Sequence, residues 1–111
     1  MLNSSVRYHE SQLYCDSVPV CEIVAQTGTP VYIYSLPRVL ENFRRIQAAF
    51  PQAHIHYSAK ANGSLAILEV LARAGAGIDA VSGGEIYRAL LARTPPERIV
   101  FAGVGKTGQE L

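Results

Sequence analysis

Apolar residues recur along this chain in two alternating rhythms. Val31-Tyr32-Ile33-Tyr34 is β-branched and aromatic, which predicts a strand. Ser35-Leu36-Pro37 follows, with the proline suited to a first helical turn. Val39, Leu40, Phe43, Ile46, Ala49 and Phe50 then recur at three- and four-residue spacing, with Arg38, Glu41, Arg44 and Arg45 on the other side. That is an amphipathic helix, and Pro51 closes it. The alternation repeats: strand-like His54 to Tyr57, a helix from about Ser64 to Ala74, strand-like Gly77 to Val81, a helix from about Gly84 to Arg93, and strand-like Arg98 to Phe101. Strands separated by helices of this length call for parallel pairing, so the fold class is α/β, either a (β/α)8 barrel or a doubly wound sheet. In both architectures chemistry collects at the C-terminal ends of strands, which is where Lys60, Ser82 and Lys106 fall.

Residues 1–30 follow another pattern. Leu13-Tyr14-Cys15, a turn at Asp16-Ser17 and Val18-Pro19-Val20 predict a short extended piece, then a brief helix ending near Thr27-Gly28. The expected organisation is therefore an N-terminal segment over 1–30 and the βα repeat over 31–111.

The composition narrows the function classes. In 111 residues, 49% hydrophobic content and 17% charge describe a globular chain able to bury a core. A net charge of +1 without blocks of like charge offers nothing to nucleic acid or an anionic membrane. No apolar run approaches the roughly 18 residues of a membrane span, and Met1 to Arg7 lacks the apolar core of a signal peptide, so the expected compartment is the cytoplasm. Cys15 and Cys21 stand alone, without the paired spacing of a metal site, and free thiols are expected there.

Of the ten basic residues eight are arginine; the lysines are Lys60 and Lys106. Arginine stays protonated, whereas a lysine amine can lose its proton in a desolvated site and condense with an aldehyde. Lys60 closes the run His54-Ile55-His56-Tyr57-Ser58-Ala59-Lys60 just past a strand, a place where a plain solvated lysine is also common. His54 and His56 alternate with Ile55 and Tyr57, so their imidazoles share a face. No third ligand stands at metal-binding spacing, and His56, nearer Lys60, is the better pocket residue. In Gly75-Ala76-Gly77-Ile78-Asp79-Ala80-Val81-Ser82-Gly83-Gly84-Glu85, Ser82 and Glu85 have capping-box spacing, and Gly75 can end a helix. Asp79 has no such structural account: an acid near the end of a buried strand needs a partner, and a lysine or iminium would serve. Gly103, Gly105 and Gly108 satisfy G-x-G-x-x-G after a strand, which keeps a nucleotide-binding module open as a different class of function. The acid expected about 20 residues further on in that motif has no counterpart before Leu111.

Tyr57-Ser58-Ala59-Lys60-Ala61-Asn62 resembles the Schiff-base lysine segment of the pyridoxal phosphate enzymes with an alanine-racemase-like barrel, most closely the diaminopimelate decarboxylase family. The family usually reads Tyr-Ala-Val-Lys-Ala-Asn, and Ser58-Ala59 is a conservative departure. Gly75 to Glu85 resembles its Gly-x-Gly-x-Asp-x-x-Ser-x-Gly-Glu, and Arg98 to Thr107 its fourth-strand segment. The resemblance implies a partial (β/α)8 barrel, about its first half, with the N-terminal segment joining a separate β domain. It further implies that Lys60 holds pyridoxal 5'-phosphate as a Schiff base, with Asp79 and Glu85 beside it as catalytic residues and His56 and Ser82 lining the cofactor site. The implied reaction is decarboxylation of meso-diaminopimelate to L-lysine in a homodimer. Ornithine and arginine decarboxylases, or a relative of alanine racemase, are the enzymatic alternatives. A (β/α)8 barrel needs about 250 residues, so this chain is expected to be an N-terminal fragment, inactive alone.

Overall fold

The computed structural model describes residues 5–111; Met1 to Ser4, the start of the expected N-terminal segment, lie outside the described residues. The chain divides into two compact units, Met1–Arg38 and Val39–Leu111.

In the first unit, β1 (Val6–His9), β2 (Gln12–Cys15) and β3 (Val18–Pro19) form an antiparallel meander, followed by helix α1 (Val20–Thr27). Glu10 and Ser11 connect β1 to β2 with φ of 48° and 65°. Two successive left-handed residues give the connection a twist that matches the flanking strands. Asp16, at φ 54°, opens the next two-residue turn, where Cys15 pairs with Val18. The extended piece expected here is thus a small sheet, and the helix ends at Thr27 as its pattern predicts.

Val31 to Tyr34 forms no strand. Its residues have the right side chains, but a strand exists only through a ladder, and no described strand pairs with it. Tyr32 and Tyr34 remain exposed. Ser35 then starts helix α2 (Leu36–Ala49): its hydroxyl accepts from Arg38 N at 3.1 Å and donates to Asp16 Oδ1 at 2.8 Å. Of the apolar stripe on α2 only Phe43 is buried, while Ile46 and Phe50 are exposed.

The second unit carries the βα repeat. Strands β4 (His56–Ser58), β5 (Gly77–Ala80) and β6 (Ile99–Phe101) form a parallel sheet in that order. Helices α3 (Leu65–Arg73) and α4 (Gly83–Leu91) connect them. The α/β class is as expected, with each strand a residue or two shorter than its apolar run. Helix α3 ends in a Schellman motif: Gly75 sits at φ 98° and donates to Ala72 O, and Ala76 donates to Leu71 O. Helix α4 closes the same way without a glycine, Arg93 adopting φ 61° while Thr94 donates to Ala89 O.

The register sorts the sheet into two faces. Tyr57, Ile78 and Ile99 are mutual partners on successive strands and pack with Ala59, Leu68, Ala89 and Ala92 in the core beneath the helices. Leu68 and Ile78 are completely buried, each contributing roughly 1.5–3 kcal/mol relative to exposure. Because side chains alternate along a strand, His56, Ser58, Gly77, Asp79 and Val100 point to the opposite face.

Candidate active site

Strand β4 ends at Ser58 and passes directly into a 3-10 turn, Ala59–Ala61. Ala59 is buried in the core and anchors that turn, which presents the exposed Lys60 just past the C-terminal end of the strand. Asn62 Oδ1 accepts from Ser64 N, and Tyr57 Oη donates to Asn62 O, so the exit from the turn is fixed on both sides. The Lys60 amine makes no hydrogen bond or ion pair with the described residues. It is available for a ligand.

Lys106 is placed differently. Its amine donates to Gly103 O at 3.0 Å and lies 5.1 Å from the centre of the Phe101 ring, a cation–π contact. It lines the groove beside Ile86, Leu90 and Ile99 on the helix side of the sheet. Of the two lysines, Lys60 is therefore the one with an unengaged amine at a strand end.

Asp79 stands on β5 directly across from Ser58, and Ser58 Oγ donates to Asp79 Oδ2 at 2.6 Å. The pair is half-buried on the sheet face away from the helices. The strand-end acid singled out in the sequence thus has a partner, and the partner is a hydroxyl supplied by the residue that departs from the family motif. Two residues further along β4 and its turn lies Lys60.

Ser82 and Glu85 behave largely as their spacing predicts. Ser82 is the N-cap of α4, its hydroxyl accepting from Glu85 N at 3.2 Å. The Glu85 carboxylate reaches back one residue further than in the usual capping box and accepts from Val81 N at 2.8 Å. Ser82 therefore sits in the connection that leaves β5, and Glu85 in the first turn of α4.

A carboxylate outside the sequence reading completes this end of the sheet. Glu110 Oε1 accepts from Gly83 N at 2.9 Å, in the first turn of α4, while Oε2 accepts from Thr107 N and Oγ1, both at 2.9 Å. These backbone and hydroxyl donors hold its carboxyl below the usual range, the Thr107 amide contributing most. The signal for it is local: Thr107-x-x-Glu110 has capping-box spacing. The same contacts bear on the nucleotide reading. A turn follows Gly103 to Gly108 instead of a helix, and the loop's Thr107 amide is taken by a carboxylate of the chain itself.

His56 lies at the start of β4, the end remote from Lys60. Its ring packs over Gly77 and, with His54, Glu97 and Arg98, lines a cavity of about 460 Å³. The structure thus brings Ser58 to Asp79 and Ser82 to Glu85, and keeps His56 at the opposite strand end. No cluster of three or more potential metal ligands occurs among the described residues.

Residues 36–111 match the family model for the pyridoxal-dependent decarboxylases, pyridoxal binding domain. The chain belongs to that family. Pyridoxal phosphate is the cofactor the domain implies, and an unpaired lysine amine just past a strand end is chemistry suited to an aldehyde carrier. The chain is 45% identical over 109 residues to the diaminopimelate decarboxylase of Aquifex aeolicus, covering 98% of this chain and 26% of the relative. It is 47% identical over 104 residues to that of Zymomonas mobilis, covering 89% and 25%. The crystal structure of the M. jannaschii diaminopimelate decarboxylase in complex with L-lysine superposes with a TM-score of 0.89 at 36% identity, covering 97% of this chain and 27% of that one. The chain thus spans about a quarter of the length of the relatives it matches.

Proposed function

We propose that this chain supplies the lysine-bearing part of the cofactor site of a diaminopimelate decarboxylase, its βα units forming the first part of a (β/α)8 barrel. The observation that carries the reading is the unengaged amine of Lys60 at the end of β4, next to the strand end where Asp79 stands, in a chain of this family. Bound pyridoxal phosphate would supply an electron sink for the charge left on the α-carbon when CO2 departs. Lys60 is the residue that would hold the cofactor, through its unengaged side-chain amine. Asp79, held by Ser58 on the neighbouring strand, would place a carboxylate toward the strand ends where Lys60 stands. Glu85 and Ser82 shape the loop that follows Asp79, and their hydrogen bonds to Val81 N and Glu85 N hold its backbone in place. For His56, the position at the start of β4 and the packing over Gly77 favour a structural role over cofactor contact. The complete enzyme is expected to act as a homodimer in the cytoplasm.

Borohydride reduction of the complete enzyme followed by peptide mapping tests the assignment. The pyridoxyl label is expected on Lys60, and Lys60→Arg should abolish it because a guanidinium cannot form the imine. Label on Lys106, or on no lysine, would overturn it. Carbon dioxide release from meso-diaminopimelate, compared with ornithine and arginine, tests the substrate.

A further inference from the structure

The segment before Lys60 carries serine where the family motif usually carries alanine, and the structure gives that hydroxyl a specific use. Ser58 is the residue that enters the 3-10 turn, a place where serine ordinarily caps the turn with its side chain. It does not do so here: no capping hydrogen bond is made. Its hydroxyl turns across the sheet to Asp79 Oδ2 instead, at 2.6 Å, within the short range of a hydroxyl donating to a carboxylate. The β4–β5 register places the two residues directly opposite one another. Asp79 Oδ1 carries no hydrogen bond among the described residues.

We infer that Ser58 is a positioning residue for the Lys60 site, its hydroxyl holding one oxygen of Asp79 and leaving the other free to meet a cation at the strand ends. The inference rests on the assignment of Lys60 as the cofactor lysine. An alanine at 58 offers no donor, so the Asp79 side chain would choose among its rotamers without that restraint. Because Ser58 lies two residues before Lys60, the hydrogen bond ties the carboxylate to the turn that carries the amine. Substrate recognition has no part in this role, so the effect should fall on turnover.

The test uses the complete enzyme as wild type, Ser58→Ala, Ser58→Thr, Asp79→Asn and the Ser58→Ala/Asp79→Asn double variant. Three readouts are taken: the kcat and KM split, the pH at which the absorbance of the lysine-bound cofactor changes, and the rate of Lys60 modification by an amine reagent in the cofactor-free protein. Glu85, His56, Tyr57, Glu97 and Arg98, ionisable groups on or beside these strands, are kept in every variant.

For Ser58→Ala, kcat is expected to fall about tenfold with KM within about twofold, as for an interaction that matters only after binding. The absorbance midpoint should move to lower pH, because a less well held carboxylate stabilises the protonated form less. Lys60 modification should change in the same direction as in Asp79→Asn. Ser58→Thr should restore all three, and Ser58→Ala should add nothing in the Asp79→Asn background. Borohydride label on Lys60 with wild-type kcat, midpoint and modification rate in Ser58→Ala would overturn the inference and leave the lysine assignment standing. Additive effects in the double variant would overturn it in the same way. Absence of label on Lys60 would instead remove the assignment on which the inference rests.

Discussion

The imidazole of His56 lies over Gly77, its register partner on β5, where a Cβ on residue 77 would clash with Cδ2 and Nε2 of the ring and stand 2.7 Å from the carbonyl oxygen of Arg98. Gly77→Ala should therefore destabilise the sheet by about 1–3 kcal/mol, the usual range for overpacking a filled site. Pairing it with His56→Ala should recover only part of that loss, since the Arg98 backbone oxygen stays in place. Denaturation midpoints of the single and double variants check this; an unchanged midpoint in Gly77→Ala would show that the neighbours yield freely.

Asp79 is expected to matter through charge. Asp79→Asn keeps the volume and an acceptor for Ser58, so stability should change by less than about 1 kcal/mol, whereas turnover should fall by at least about tenfold if the negative charge serves the amine. Steady-state kinetics and a denaturation curve on the same preparation decide. Full turnover with a large loss of stability would make Asp79 a structural residue.

Glu110 predicts an acid-sensitive link. Its carboxyl is held below the usual range by the Thr107 and Gly83 donors, so the ionised form is favoured in the folded chain. A lowered folded value contributes stability that is present above the unfolded carboxylate's titration and is lost as pH falls through the folded value. Amide exchange at Gly83 and Thr107 should accelerate below about pH 4.3, the ordinary glutamate value, relative to amides inside α3. Glu110→Gln should accelerate both amides already at neutral pH.

The two cysteines should react unequally. Burial, helped by the charge of Asp16, pushes the Cys15 thiol up, whereas Cys21 is exposed on α1. Alkylation at neutral pH should label Cys21 first and reach Cys15 only under denaturing conditions, because the thiolate is the reacting form. Peptide mass mapping of the time course checks the order.

Where the pattern of residues could be read locally, the sequence and the structure agree. Helix α4 shows both its cap at Ser82 and its apolar positions within a few residues, and α2 is bounded by Ser35 and Pro51. Val31 to Tyr34 illustrates the limit: strand formation belongs to a pair of segments, and no local feature says whether a partner is present. The β1–β2 connection was hidden for another reason, since Glu10 and Ser11 take left-handed conformations without the glycine or asparagine that usually marks them. At the site, Lys60 and Asp79 were visible as chemistry out of place, but the Ser58–Asp79 bond depends on a register between residues 21 positions apart. Ser58 alone reads as a conservative substitution, and only the register reveals its partner. Glu110 could have been read from Thr107-x-x-Glu110, a short-range signal.

The alternation along β4, β5 and β6 has an evolutionary consequence. Tyr57, Ile78 and Ile99 face the core beneath the helices, while Ser58, Asp79 and Val100 face the other side of the sheet. Selection for a different substrate could rewrite the second set and leave the folding information in the first untouched. A saturation library across these strands in the complete enzyme should accordingly divide into two interleaved classes of position, with Gly77, packed under His56, an exception on the outer face.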